Sequence, residues 1–135
     1  MQHLSQFKLE IVTPDRKFLE ADVSMLVART IDGDMAILKN HIPLVTPLDI
    51  GIIKMNYEDG TSKKASIAGG YMEVTKEKTT IVTESAEWPE EIDRRRAEEA
   101  KKRAEERISK KNKDTDVLRA ELALKRAINR IRLGD

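Results

Sequence analysis

In the first two thirds of the chain, apolar residues recur at every second position and are cut by Gly, Pro and Asp. Phe7, Leu9 and Ile11 alternate with Lys8 and Glu10, a period of two that predicts a half-buried strand. Thr13-Pro14-Asp15-Arg16 ends it, and further strands are predicted over 17–21, 23–30, 35–38, 50–56, 62–68, 71–75 and 78–84. Asp32-Gly33 and Asp59-Gly60 supply the positive φ that tight hairpins demand. Both prolines of His41-Ile42-Pro43-Leu44-Val45-Thr46-Pro47-Leu48 fix φ, so that stretch reads as a rigid connection. Gly69-Gly70 predicts a bulge or a close backbone approach at the start of the next strand. Short strands at this spacing, with no helical period between them, imply an antiparallel β-sandwich or flattened barrel.

Around Trp88 and Pro89 the pattern changes to Glu, Lys, Arg and Ala at helical spacing. Pro89 suits a first helical turn, with Glu90, Glu91 and Asp93 near the positive end of the dipole, so a helix is predicted over 89–108. Its apolar stripe is Ala97, Ala100, Ala104 and Ile108. Residues 109–114 are polar and turn-like, and Thr115 or Asp116 can cap a second helix whose face runs through Val117, Ala120, Leu124, Ala127 or Ile128, and Ile131. The expected fold is α+β: a sandwich over 1–86 followed by an antiparallel two-helix hairpin over 87–135.

A seam made mostly of alanine buries little. Each methylene-sized group contributes about 0.8 kcal/mol, against about 1.5 to 3 for a whole Leu or Ile. The hairpin is therefore expected to be marginal and able to open. With no Gly or Pro in the link it can become one rod of about 45 residues and roughly 65 Å.

Composition narrows the function classes. The 135 residues are 39% hydrophobic, enough for one globular domain plus an arm. No apolar run is long enough to cross a bilayer and the N-terminus has no signal-like pattern, so a soluble, non-secreted protein is expected. The absence of cysteine excludes disulfides and thiolate metal sites, and His3 and His41 alone do not make a histidine metal cluster. Net charge is +1, with residues 1–84 holding 10 Lys+Arg against 12 Asp+Glu and residues 85–135 holding 15 against 12. A mildly basic arm suits a phosphate ligand or an acidic protein better than a polyanion.

The chemistry of the arm concentrates in Ile92-Asp93-Arg94-Arg95-Arg96-Ala97. Asp93, Arg96 and Ala97 at i, i+3 and i+4 would share one helical face. A carboxylate can accept from an adenine amino group, a small side chain leaves room for a flat ring, and a guanidinium can pair with phosphate. Arg103 lies seven residues beyond Arg96, and Arg119, Arg126 and Arg130 form a second row. The plainer alternative is a solvated helix with ordinary ion pairs, Glu91 with Arg95, Glu98 with Lys102 and Glu99 with Arg103. No phosphate loop or nucleophile–base pair occurs, so no catalytic residue is assigned and bound nucleotide would be read rather than hydrolysed. His41 without a local partner reads as structural. Asp32-Gly33-Asp34 reads as a hairpin tip, lacking the further oxygen ligands of a calcium loop.

Three segments of the head, in order, resemble the epsilon subunits of F-type ATP synthases: Gly33-Asp34-Met35-Ala36-Ile37-Leu38, His41-Ile42-Pro43-Leu44, and Gly69-Gly70-Tyr71-Met72-Glu73-Val74. Met35 and Ala36 replace the usual Leu and Gly, and Lys39-Asn40 stands where a Pro-Gly type turn is common. In the arm, Ile92-Asp93-x-x-Arg96-Ala97 resembles the ATP-binding motif of bacterial members, and 119–130 resembles their second helix.

The resemblance implies a non-catalytic rotor subunit that sits on gamma and on the c-subunit ring, with Asp32 and Asp34 as docking residues for the ring. It also implies a regulatory hairpin holding ATP through Glu87, Ile92, Asp93, Arg96, Ala97, Arg103, Arg126 and Arg130, with or without Mg²⁺ and with no resident metal. When ATP is scarce the helices would extend along gamma, and their basic side chains would engage the alpha and beta subunits and block hydrolysis. The location implied is the cytoplasmic face of the bacterial plasma membrane, peripheral and held only through the complex. Two alternatives stand beside it. One is a coupling subunit that senses no nucleotide; the other is a nucleic-acid module, for which five aromatic residues offer little stacking.

Overall fold

The computed structural model describes residues 5–110 and 116–134. The chain divides into two compact units, 1–87 and 88–135.

The first unit is a β-sandwich of eight strands: β1 Phe7–Val12, β2 Lys17–Val23, β3 Met25–Thr30, β4 Gly33–Ile37, β5 Leu44–Asn56, β6 Ser62–Val74, β7 Thr79–Val82 and β8 Ala86–Glu87. They pair in the order β2-β1-β7-β6-β5-β3-β4, with β8 added to β6. The period of two does what it predicts: Leu9 and Ile11 are fully buried while Lys8 is exposed. Leu26, Met55, Met72 and Ile81 complete a core of large side chains. One ladder departs from the antiparallel rule, since β1 and β7 run parallel, Leu9 opposite Thr79 through Val12 opposite Val82.

The stretch expected as a rigid connection is strand instead, and at Gly69-Gly70 the close backbone approach is found without a bulge or a strand break. Residues 44–48 open β5, and Pro47 is tolerated because only β6 flanks that stretch; β3 reaches no further than the Thr30–Leu48 pair. β6 likewise runs through Gly69 and Gly70 without losing register, from Leu48 opposite Gly70 to Ile50 opposite Ala68. Gly70 adopts φ 98°, and a Cβ there would lie 1.9 Å from the Val82 carbonyl oxygen. Only glycine lets β7 approach this closely.

The second unit opens on a 3-10 turn, Pro89–Glu91, with the Trp88 N–H donating to the Glu91 carboxylate at 2.9 Å. Ile92 is extended (φ −84°, ψ 124°), so α1 starts later than expected and spans Arg94–Lys110. Asp93 is its N-cap: Oδ1 accepts from the Arg96 N–H at 3.1 Å, and the Asp93 carbonyl accepts from Ala97 at 3.0 Å. The acidic residues expected in the first turn therefore precede the helix.

α2 spans Val117–Gly134 and is capped in the same way by Asp116, which accepts from the Arg119 N–H at 3.0 Å. Of the turn expected over 109–114, Ser109 and Lys110 are instead the last residues of α1, and 111–114, like the alternative cap Thr115, lie outside the described residues. α1 and α2 pack as a hairpin, with Ala97, Ala104, Ala120 and Ala127 buried. The turn Pro89–Glu91 packs on α2, where Asn129 and Leu133 are buried off the alanine line.

Candidate functional site: the basic face of the hairpin

Each buried alanine follows an arginine, and three of the four precede a glutamate: Arg96-Ala97-Glu98, Arg103-Ala104-Glu105 and Arg119-Ala120-Glu121, with Arg126-Ala127-Ile128 as the exception. Successive helical residues are about 100° apart, so with alanine at the seam the preceding arginine stands on one flank and the following glutamate on the other. Antiparallel helices are related by a two-fold axis normal to the plane of the pair. Residues that precede the seam on either helix therefore share a face.

Arg96, Arg103, Arg119 and Arg126 fall together on that face. Arg107 and Arg130, three residues after a buried alanine, lean to the same side. Arg103 with Arg107, and Arg126 with Arg130, stand at i, i+4, where like charges repel by about a few tenths of a kcal/mol.

The ion pairs of α1 include Arg94 with Glu98 at 3.8 Å and Arg95 with Glu99 at 3.3 Å. They run from arginine to the glutamate four residues on, the reverse of the pairs anticipated. Consequently Arg96 and Arg103 are exposed and, among the described residues, form no ion pair. Arg126 and Arg130 are half-buried and do have polar partners. Asp93 is exposed and already gives one oxygen to its cap, so its second oxygen is what remains for a ligand. Ala97 is 4% exposed and serves the packing rather than offering open surface for a ring. Ile92 is half-buried, and Glu87 belongs to β8 of the head, opposite Ser66.

In the head, Asp32 and Asp34 are exposed at the β3–β4 hairpin. The Arg29 guanidinium donates to Asp34 Oδ1 at 3.3 Å, and the Asp32 N–H donates to Thr30 Oγ1 at 3.1 Å, which fixes the turn and leaves the Asp32 carboxylate facing water. His41 Nδ1 lies 2.8 Å from the Ile42 carbonyl, which can only accept, so that nitrogen carries the proton. No group of three or more His, Cys, Asp or Glu among the described residues could hold a metal ion.

The sequence reading missed an exposed apolar set: Ile42 at 78%, Val45 at 67% and Tyr71 at 47%. Pro47 faces Tyr71 and Val45 faces Glu73 across β5 and β6, so Val45, Pro47 and Tyr71 share the outward face. The signal was present in the run Ile42-Pro43-Leu44-Val45, where an outward strand position carries no polar residue.

A β-sandwich followed by an alanine-seamed helical hairpin defines a two-part α+β protein. Residues 6–89 match the model of the ATP synthase delta/epsilon chain β-sandwich domain, and residues 90–133 match that of its long α-helix domain. The chain belongs to the delta/epsilon chain family of ATP synthases, as an epsilon-type subunit that is not itself catalytic.

It is 55% identical over 129 residues to the ATP synthase epsilon chain of Alkaliphilus metalliredigens, covering 96% of each chain. It is 48% identical over 124 residues to that of Bacillus velezensis, covering 92% of this chain and 93% of the relative. Among solved structures, a chain of the Euglena gracilis mitochondrial ATP synthase assembly OSCP/F1/c-ring superposes with a TM-score of 0.82 at 27% identity, over 92% of this chain and 78% of that one. A chain of the Tetrahymena thermophila mitochondrial central stalk and c-ring shares the fold, with a TM-score of 0.57 at 19% identity and coverage of 92% of that chain and 94% of this one.

Proposed function

We propose that this chain is a central-stalk rotor subunit whose head couples gamma to the c-subunit ring and whose arm is an ATP-responsive brake on hydrolysis. The observation that carries the reading is the row of arginines that the buried alanines turn onto one face of the hairpin, next to the Asp93-capped start of α1. Support for the head's role comes from its two kinds of exposed surface. The apolar group Ile42, Val45, Pro47 and Tyr71 fits a protein partner such as gamma. Asp32 and Asp34, on a stiff polar turn, fit the polar loops of a ring of c subunits. The solved assemblies of relatives, described as F1/c-ring and central stalk/c-ring, agree with both. No helix among the described residues is long and apolar enough to cross a membrane; the place we assign is peripheral, on the cytoplasmic face of the bacterial plasma membrane and reached through the complex, as the family likeness implies.

The arm's own ligand set is Ile92, Asp93, Arg96, Arg103, Arg126 and Arg130, with Ala97, buried in the seam, setting the face on which the arginines stand rather than touching the ligand. ATP favours the folded hairpin because only there do the two arginine rows lie side by side. In a continuous rod Arg103 and Arg126 would stand twenty-three residues apart, about 35 Å at ~1.5 Å per residue. A triphosphate cannot bridge that gap, so its affinity differs between the two states, as any effector's must. Ligand at 100 times its Kd adds about 2.7 kcal/mol, whereas a swing from 1:99 to 99:1 needs about 5.5. The two arm states must then be close in energy, as the alanine seam dictates. When ATP is scarce the opened arm presents its arginines to the alpha and beta subunits, where acidic surface would hold it and stop hydrolysis.

Titration of the isolated chain with ATP, with and without Mg²⁺, tests the site. Arg96→Ala should weaken binding by about tenfold to a hundredfold, the loss of one charge-assisted contact. Asp93→Asn keeps a capping oxygen but loses the charge, and should weaken nucleotide while leaving helix content intact. Unchanged affinity in both would leave the second reading, a coupling subunit with a solvated arm, which the surface pairs Arg94–Glu98 and Arg95–Glu99 favour.

A further inference from the structure

The basic face is longer than one nucleotide needs. Arg96 and Arg107 are eleven residues apart on α1, about 16 Å at ~1.5 Å per residue. The residues assigned to the nucleotide end on α1 at Arg103, one helical turn before Arg107. In the antiparallel hairpin the last turns of α1 lie alongside the first turns of α2, which sets Arg107 near Arg119 at the end of the hairpin closest to the link. Arg107 and Arg119 are exposed, lie on the same face by the phase of Ala104 and Ala120, and form no ion pair with any described residue. Of the nearby carboxylates, Glu99 is held by Arg95 at 3.3 Å, Glu106 follows a buried alanine by two residues and so points further round the helix, and Asp116 accepts from the Arg119 backbone N–H at 3.0 Å as the cap of α2 without pairing its guanidinium. Arg103 stands between the two halves.

We propose that Arg107 and Arg119 form a second oxyanion site, which takes a divalent anion of the size of inorganic phosphate independently of any nucleotide. Two guanidinium forks, one from each helix, offer paired N–H donors that match phosphate oxygens. An anion placed there cancels repulsion across the loop end of the seam and so favours the closed hairpin. The site is built from the hairpin alone and does not depend on the nucleotide reading.

The experiment titrates inorganic phosphate into the full chain at constant ionic strength, with and without saturating ATP, following the arginine side-chain N–H signals by NMR. Saturable binding that persists beside ATP is expected. R107A/R119A should weaken it by about tenfold to a hundredfold and leave ATP binding in place, since both side chains are exposed and the seam is untouched. R107K/R119K keeps the charges without the forks and should fall between the two.

Displacement of phosphate by ATP would mean a single site and overturn the proposal. So would equal binding by the double alanine variant, or a response that chloride reproduces. Phosphate binding with no ATP binding would instead remove the nucleotide reading and leave this one standing.

Discussion

The head and the arm solve the same packing problem with different residues. Leu9, Leu26, Met55, Met72 and Ile81 are all fully buried in the sandwich, whereas the hairpin seam is Ala97, Ala104, Ala120 and Ala127, with Leu133, off that line, the one large apolar residue buried among the described residues of the arm. At about 25 cal/mol per Å² of apolar surface, a methyl group contributes a small fraction of what a leucine does. The head is therefore the more firmly packed unit and the arm the more weakly packed one, as the proposed ligand-driven switch requires.

That contrast can be broken most severely in the head. Leu9→Ala should cost about 2 to 5 kcal/mol, read as a lowered denaturant midpoint, and the head's transition should persist after removal of residues 88–135. Loss of that transition on truncation would show the two units to be one cooperative body.

An intermediate effect is expected at the arm's hinge. Asp93→Ala removes the cap on Arg96 and should cost about 1 kcal/mol of helix stability, a sizeable part of a marginal hairpin. Circular dichroism of the chain should register it as lost helix with the head's transition unmoved, and equal helix content would deny the cap its role.

The smallest effect lies on the head's surface. Lys8 and Lys17 bond to Glu20 at 2.8 and 2.9 Å, and these hydrogen bonds, with the attraction of the two ammonium groups, hold the Glu20 carboxyl down at about 2. Its ordinary value is 4.5, and the folded value is the lower one. The contribution to stability is therefore present above the ordinary value and is lost as pH falls from there towards about 2. The same bonds raise Lys8 and Lys17 above 10.5, so their share is lost only as pH rises beyond that. All three groups are solvated, and added salt should flatten the acid limb of the stability profile. A limb that salt leaves unchanged, or that Glu20→Gln does not alter, would count against this triad.

Most of the strands were legible because one face of each is buried, and burial at a period of two writes itself into the sequence. Where that failed, the cause was local chemistry overruled by pairing. Pro47 and Gly69-Gly70 look like breaks, yet β5 and β6 run through them because each pairs with the other along its whole length. β8 is only two residues long, too short for any period to show. The helix start was misplaced because Pro89, Glu90 and Glu91 satisfy every first-turn preference, while the extended Ile92 lets Asp93 take the cap four residues on.

The candidate site divides along the same line. Arg96, Arg103, Arg126 and Arg130 could be chosen, and aligned into a row on each helix, by spacing and family likeness, whereas placing the two rows beside each other needed the helices to pack. By themselves the residues determined a β-rich body, an alanine-rich helical tail and the identity of the arginines, since periodicity, propensity and composition are properties of short stretches of chain. Which strands neighbour one another, that β1 and β7 run parallel, and that two arginine rows flank one seam were decided only when distant segments packed. Burial of an alanine fixes the azimuth of its helix, and no local preference carries that information.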